Sequence, residues 1–500
     1  MNITITQGNL TEISADTLIV NLFDDVTQPS GATGAIDQAM GGAITELIAT
    51  GDLTGKEGEV GILYPRSALA ADRVLVVGLG KRDSFSLEGV RRAAGHAIQK
   101  ARALKSNHVA TIIHGAGVGG LDVTAASQAT VEGSQLALYE YDAPKKSKET
   151  AHQIEKLTIV EFDASKLGQI EAGKDTAVAI TTGTILARDL VNMPPNVATP
   201  TKLAQTAQAI ADEHSLGITI GDRQWAAERK MGAYLAVGKG AGEEPKFIIL
   251  EHNIDRDDLD TIVLVGKGIT FDTGGISIKP TANMGAMKAD MGGAAAVLGT
   301  MKTAAMLDIP LRLIGITPAT ENMPDANAYR PADVITASNG VTIEIISTDA
   351  EGRMILADGL VHAGSYNPTA VIDLATLTGS AVVALGEDMA ASLFSTDDSL
   401  RDRLVAAGNH TRERVWPMPL WDDYLNAIKT DVADIKNSGG RFGGVATSAM
   451  FLKQFTDYSW AHLDIAGMAL TSKGNAYTPK GGTGYGVRLL VEMLLNWNAG

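Results

Sequence analysis

The chain contains no cysteine, which excludes disulfide scaffolds, thiolate metal sites, redox pairs and cysteine nucleophiles together. Aromatic residues make up only 5% of it, and the greasiest stretch, residues 369–385, is broken by Asp373. No run reaches the ~18 consecutive apolar residues of a membrane span. Basic residues are outnumbered, 42 against 58, leaving a net charge of −16. A surface that neutralises nucleic-acid phosphates is therefore not the expected main role, and DNA binding is not favoured. There is no G-x-x-x-x-G-K-[ST], no H-E-x-x-H and no G-x-S-x-G, which argues against phosphate-loop enzymes, single-zinc proteases and serine hydrolases. The opening Met1-Asn2-Ile3-Thr4-Ile5-Thr6 alternates like a strand and lacks the basic and apolar regions of a secretory leader. The expectation is a soluble, cytoplasmic protein.

What is present is ordinary globular composition, 45% hydrophobic and 20% charged over 500 residues, enough for two or three domains of roughly 150 residues or more. Short β-branched runs at 17–21, 74–77, 109–114 and 156–162 alternate with helical stretches at 91–104 and 125–138, the pattern of an α/β layer with parallel strands. Residues 142–150 read as an exposed polar loop. Ala177, Ile180, Thr184, Ala187 and Val191 then form one stripe of a helix that Pro194-Pro195 must end. The expected organisation is an N-terminal α/β domain over 1–165, a linker helix over 166–192 and a larger C-terminal α/β domain over 193–500. In that larger part, runs at 247–251, 261–265, 311–317, 342–347 and 370–374 are apolar on both parities, as strands of a parallel sheet covered on both faces should be.

Open parallel sheets bind ligands beyond the carboxyl ends of their strands. Beyond 261–265 comes Gly266-Lys267-Gly268-Ile269-Thr270-Phe271-Asp272-Thr273-Gly274-Gly275, then Lys279, then Asp290-Met291-Gly292-Gly293 opening an alanine-rich helix. Beyond 342–347 comes Thr348-Asp349-Ala350-Glu351-Gly352-Arg353. Asp272, Asp290, Asp349 and Glu351 would repel one another in a low-dielectric crevice, and two divalent ions would cancel their charge. Oxygen ligation suits Mn²⁺ or Mg²⁺, and Zn²⁺ accepts carboxylates too. Each string also has a purely structural reading. Thr348 and Glu351 fit a capping box, Asp290 fits a helix N-cap, and Lys267 with Asp272 fits a surface ion pair of under about 1 kcal/mol. Their joint occurrence in one half of the chain favours the metal site.

Those strings, with Met291-Gly292-Gly293-Ala294, Asn192-Met193-Pro194-Pro195-Asn196, Glu321-Asn322-Met323-Pro324 and Asp373-Leu374-Ala375-Thr376-Leu377-Thr378-Gly379, closely resemble the leucine aminopeptidase (cytosol aminopeptidase) family across about residues 185–495. The resemblance implies an N-terminal macro-like α/β domain and a C-terminal zinc-exopeptidase-like domain with a mixed, mostly parallel sheet. It implies a metal-dependent aminopeptidase that releases leucine and other apolar residues from peptides with a free N-terminus, through a water activated between two metals. Lys267, Asp272, Asp290 and Glu351 would hold the tighter ion; Asp272, Asp349 (side chain and carbonyl) and Glu351 the more exchangeable one. Lys279 would stabilise the oxyanion, and Arg353 would hold a bicarbonate acting as general base. Met287, Thr376 and Leu377 would line the pocket for the first side chain. Ser347 stands where many relatives have asparagine, and Gly285 where an acidic residue is common. A homohexamer is implied as well.

One rival signal remains. Gly115-Ala116-Gly117-Val118-Gly119-Gly120 matches G-x-G-x-x-G after the 109–114 run, with Glu140 twenty residues beyond. That is dinucleotide-binding spacing and carries the alternative of an oxidoreductase. His462, in Trp460-Ala461-His462-Leu463-Asp464, reads as a strand residue near the core.

Overall fold

The computed structural model describes residues 1–117, 119–146 and 151–499. Val118 of the glycine-rich string and the last part of the 142–150 loop lie outside the described residues. The chain divides into two compact units, Met1–Thr181 with Lys473–Pro479, and Thr182–Ser472 with Lys480–Gly500. The return of 473–479 to the first unit has no counterpart in the sequence reading.

The first unit is built on six strands: β1 Asn2–Gln7, β2 Ala15–Phe23, β3 Val60–Leu63, β4 Ala71–Gly80, β5 His108–Thr111 and β6 Lys156–Glu161. Their order is β1-β6-β5-β2-β4-β3, parallel throughout except for the antiparallel β3–β4 pair. Helices α1 Gly31–Ala39, α2 Leu87–Ala103 and α3 Val123–Ala137 connect them. Leu18, Val20, Val74 and Val76 are fully buried between layers. The expected strand over 109–114 ends at Thr111, where the chain turns into its glycines. The long helix α4, Leu167–Asn192, begins in this unit and ends in the second.

The second unit contains β7 Gly217–Gly221, β8 Lys246–His252, β9 Thr261–Gly266, β10 Gly268–Asp272, β11 Arg312–Asn322, β12 Ala370–Ala375, β13 Ala391–Ser395, β14 Val415–Pro417 and β15 Trp460–Asp464. Eight follow the order β14-β13-β15-β12-β9-β11-β8-β7, and β10 pairs with β11. The centre, β15-β12-β9-β11, is parallel. Helices α5, Gly292–Met306, and α6, Glu351–Gly364, take opposite faces of it. Ile314 and Ile316 share a core with Met354 and Ile355 of α6. A Cβ on the intervening Gly315 would meet Met301 and Val297 of α5. Coverage on both faces explains why these strands are apolar at every position.

Two expectations need correction. The 247–251 run, within β8, is antiparallel to β11. The 342–347 run is not part of the large sheet. Only Thr342–Glu344 is a strand, in a small sheet with Val334–Thr336 and Ile435–Lys436. Its side chains alternate, with Ile343 and Ile345 buried and Ile346 45% exposed, which is the signature of a strand covered on one face only.

Candidate metal centre

Lys267 sits between β9 and β10, with the start of α5 on one side and the start of α6 on the other. Two glycines make this approach feasible. A Cβ on Gly293 would stand 2.0 Å from the Leu374 carbonyl oxygen, and a Cβ on Gly352 would stand 2.5 Å from Lys267 Cε. Lys267 is 2% exposed. Its Nζ lies 2.8 Å from Asp290 Oδ1, 2.8 Å from Glu351 Oε1 and donates to the Thr376 carbonyl at 2.9 Å. Asp272 ends β10; its Oδ1 accepts from the Gly274 amide at 2.8 Å and from Asn322 Nδ2 at 2.7 Å. Lys279 Nζ bridges Asp272 Oδ2 at 2.7 Å and Asp349 Oδ1 at 2.5 Å.

The structural readings of these residues do not hold. The N-cap of α6 is Ala350, with no side-chain cap; Thr348 Oγ1 instead donates to the Gly274 carbonyl and accepts from the Ser277 amide. The N-cap of α5 is Met291, so the Asp290 carboxylate is left to Lys267 and Thr376 Oγ1. Lys267 and Asp272 are both buried and are no surface pair.

Burial pushes the carboxyl pKa values of Asp272, Asp290 and Asp349 upward, because the charged form loses its hydration. Burial works the other way on the two lysines, yet the surrounding carboxylates outweigh it and hold both ammonium groups above their ordinary range. Four carboxylates thus face two ammonium groups, an excess of acid in a site whose Asp272, Asp290 and Glu351 are buried and whose Asp349 lies at the exposed edge. Asp272, Asp290 and Glu351 each bring an oxygen within 4.8 Å of the others. Asp290 Oδ2 and Glu351 Oε2 are buried without any hydrogen-bond donor, although buried polar atoms are normally satisfied. Hard oxygen donors, converging and unsatisfied, fit a divalent cation.

Arg353 lies one turn into α6, 7% exposed, and does not pair with the carboxylates. Its Nη1 donates to the Asn437 carbonyl and its Nη2 to Ser448 Oγ, both at 2.6 Å, while Nε has no partner among the described residues. Burial pushes its pKa down to about 10, so it stays cationic at neutral pH. Thr376 is bonded directly to the acid cluster, Leu377 is held by its amide to Asp464 Oδ1 at 3.1 Å, and Met287 is half-buried in the turn before Asp290. Gly115–Gly117 belong to the first unit.

Sequence reasoning passed over the residues that hold the ligands in place. Asn322 Nδ2 also donates to the Thr348 carbonyl at 3.0 Å, and Tyr329 OH donates to the same oxygen at 2.9 Å. Asn437 Oδ1 accepts from the Ile346 and Ser347 amides, and its Nδ2 donates to the Ser347 carbonyl. Asn322 stood in the string Glu321-Asn322-Met323-Pro324 and is the last residue of β11, so it could have been flagged. Asn437 lies 90 positions from Ser347 in a segment with no local signal. His462 is fully buried in β15 and bonded through Nδ1 to Asp373 at 2.6 Å, as its apolar setting predicted.

A layered α/β unit with a buried acid cluster suited to divalent cations marks a metal-binding α/β protein. Known proteins agree. Residues 185–491 match the model of the cytosol aminopeptidase family catalytic domain and residues 19–148 that of its N-terminal domain. The chain is 44% identical over 496 residues to a "Probable cytosol aminopeptidase" of a Geobacter species, with 99% of both chains covered. A mutant of tomato leucine aminopeptidase superposes with a TM-score of 0.88 at 34% identity, covering 99% of this chain and 96% of that one. The bottromycin maturation enzyme BotP in complex with Mn gives 0.85 at 32% identity, covering 97% and 99%. The chain belongs to the cytosol aminopeptidase family: it is a metal-dependent aminopeptidase, a hydrolase that acts on peptides at their N-terminus. Among the described residues no helix is long and apolar enough to cross a membrane.

Proposed function

We propose that Lys267, Asp272, Asp290, Asp349 and Glu351 are the ligands of two divalent ions, and that Lys279 and Arg353 are the catalytic side chains of an aminopeptidase preferring leucine and other apolar N-terminal residues. The observation that carries this reading is the pair of orphaned, buried oxygens, Asp290 Oδ2 and Glu351 Oε2. When bound, such ions supply a nucleophilic water near neutral pH and polarise the scissile carbonyl. Lys267 would give up its proton on ligating, since only the neutral amine offers a lone pair. Asp272 and Glu351, central in the cluster, would serve both ions, and Asp349 would add its side chain and carbonyl to the more exchangeable one. Lys279 keeps its ammonium beside Asp272 and Asp349 and would stabilise negative charge developing on the carbonyl oxygen. Arg353, whose Nε has no partner among the described residues, would hold a bicarbonate, which would supply a general base. Met287, Thr376 and Leu377 would contact the first side chain of the peptide.

Mn²⁺ is supported by the complex of BotP with Mn; Zn²⁺ and Mg²⁺ are the other ions the donor set accepts. A homohexamer in the cytosol is the assembly and location that the family resemblance supports. The test is chelation followed by reconstitution with each metal, read by hydrolysis of a leucyl peptide with a free or an acetylated N-terminus. Activity should vanish on chelation, return with Mn²⁺ or Zn²⁺, and require the free amine. Activity indifferent to chelation would refute the reading.

A further inference from the structure

The neighbouring parallel strands β12 and β15 carry buried polar side chains through an otherwise apolar core. Register sets Asp373 opposite His462 and Ala375 opposite Asp464. Trp460 Nε1 donates to Asp373 Oδ2 at 2.8 Å, and His462 Nδ1 lies 2.6 Å from Asp373 Oδ1. Those three side chains bond to one another within the strand pair. Asp464, 1% exposed at the end of β15, bonds elsewhere.

Asp464 Oδ1 accepts from the amides of Leu377 at 3.1 Å, Thr378 at 3.4 Å and Ala466 at 3.2 Å, and Oδ2 accepts from Thr378 Oγ1 at 2.7 Å. All four donors are neutral, and three belong to the dipeptide Leu377-Thr378. A carboxylate buried at a strand end is costly; an apolar side chain would serve the core there, and what the carboxylate serves is the loop leaving β12. Thr378 Oγ1 also accepts from the Ala381 amide at 3.0 Å and so caps the helix Gly379–Leu385. The residue before this dipeptide faces the acid cluster. The Thr376 carbonyl accepts from Lys267 Nζ at 2.9 Å, and Thr376 Oγ1 donates to Asp290 Oδ1 at 2.8 Å. A three-residue loop is thus tied at one end to two of the proposed ligands and at the other to Asp464. Planar peptides about 3.8 Å long between Cα atoms leave so short a loop no slack, so a shift at one end reaches the other.

We infer that Asp464 is a positioning residue of the aminopeptidase: by holding the Leu377-Thr378 backbone it sets where Thr376 and Leu377 stand against the first side chain of the peptide. This assignment rests on the pocket proposed above for Met287, Thr376 and Leu377. The readout is the ratio of kcat/KM for a leucyl over an alanyl substrate, measured on the full-length, metal-loaded enzyme. Asp464→Asn keeps the shape of the side chain but replaces one acceptor oxygen with a donor, and should lower the ratio about tenfold. Thr378→Val removes the hydroxyl and should lower it likewise, whereas Thr378→Ser keeps the hydroxyl and should retain the preference for leucine. In the double variant Asp464→Asn, Thr378→Val the loss should be smaller than the product of the two single losses, since both break one contact. Trp460→Phe breaks the hydrogen bond to Asp373 on the same strand; it should lower the melting temperature and leave the ratio as in the wild type. A ratio unchanged in both Asp464→Asn and Thr378→Val, a ratio that falls as far in Trp460→Phe, or independent losses in the double variant would overturn the inference. Thr376→Gly tests the pocket separately. A ratio unchanged there refutes the pocket itself, while a ratio changed there and in neither Asp464→Asn nor Thr378→Val leaves the pocket standing and removes Asp464 from its support.

Discussion

Gly352 leaves room for Lys267: a Cβ on the glycine would stand 2.6 Å from Lys267 Nζ and 2.5 Å from its Cε. The lysine cannot simply swing aside, because its Nζ is fixed by Asp290, Glu351 and the Thr376 carbonyl. Gly352→Ala is expected to cost about 1–3 kcal/mol of stability by overpacking and to reduce the metal retained after dialysis. Thermal unfolding and elemental analysis check both, and a variant equal to wild type in both would show that Lys267 is not constrained.

Asn322 holds the opposite side of the cluster through Asp272 and the Thr348 carbonyl. Asn322→Ala leaves two buried acceptors short of a donor, which predicts a loss of about 1–3 kcal/mol in urea unfolding, together with a lower kcat. Asn322→Asp, of the same shape, sets another carboxylate against Asp272 and should be the more damaging of the two in metal-free protein. If both variants unfold like the wild type, Asn322 does not position the ligand.

These two residues mark the limit of what the sequence discloses. The acid cluster was legible because Asp272, Asp349 and Glu351 fall in short, glycine-containing strings that crowd carboxylates into a few positions. The parallel core was legible from runs apolar on both parities. Hidden were the contacts made by tertiary folding, such as Asn437 with Ser347 and Arg353, because nothing local specifies a partner 90 positions away. The 342–347 run misled for another reason: Ile345-Ile346 masks the alternation that assigns it to a one-sided sheet.

His114 predicts a pH dependence in the first unit. It is 1% exposed, hydrogen-bonded to Asn21, and burial pushes its pKa down to about 4 from an ordinary 6.5. Between those values the unfolded chain binds the proton and the folded chain does not, so stability falls as pH drops from about 6.5 to about 4. The full effect is on the order of 3 kcal/mol. His114→Gln removes this slope. The difference between wild type and variant in unfolding free energy should therefore change between pH 7 and pH 4.5, and a constant difference would contradict a neutral buried imidazole.

Lys279 is the cation nearest to both Asp272 and Asp349 without being a ligand in the proposed set. Lys279→Ala should lower kcat by about 10²–10³-fold, as removal of a charge-stabilising donor does, with metal content unchanged. A rise in KM alone would assign the lysine to substrate binding.

The most direct measurement is the number of divalent ions held per chain after chelation and reconstitution, counted by elemental mass spectrometry on wild type, Asp272→Ala and Glu351→Ala. Two ions per wild-type chain are predicted, with fewer than two in either variant and no detectable hydrolysis of leucyl substrates, while far-ultraviolet circular dichroism remains native. A wild-type enzyme that hydrolyses these substrates without bound metal, or a Glu351→Ala variant that retains both ions and full turnover, would contradict the assignment of the acid cluster as a two-ion centre.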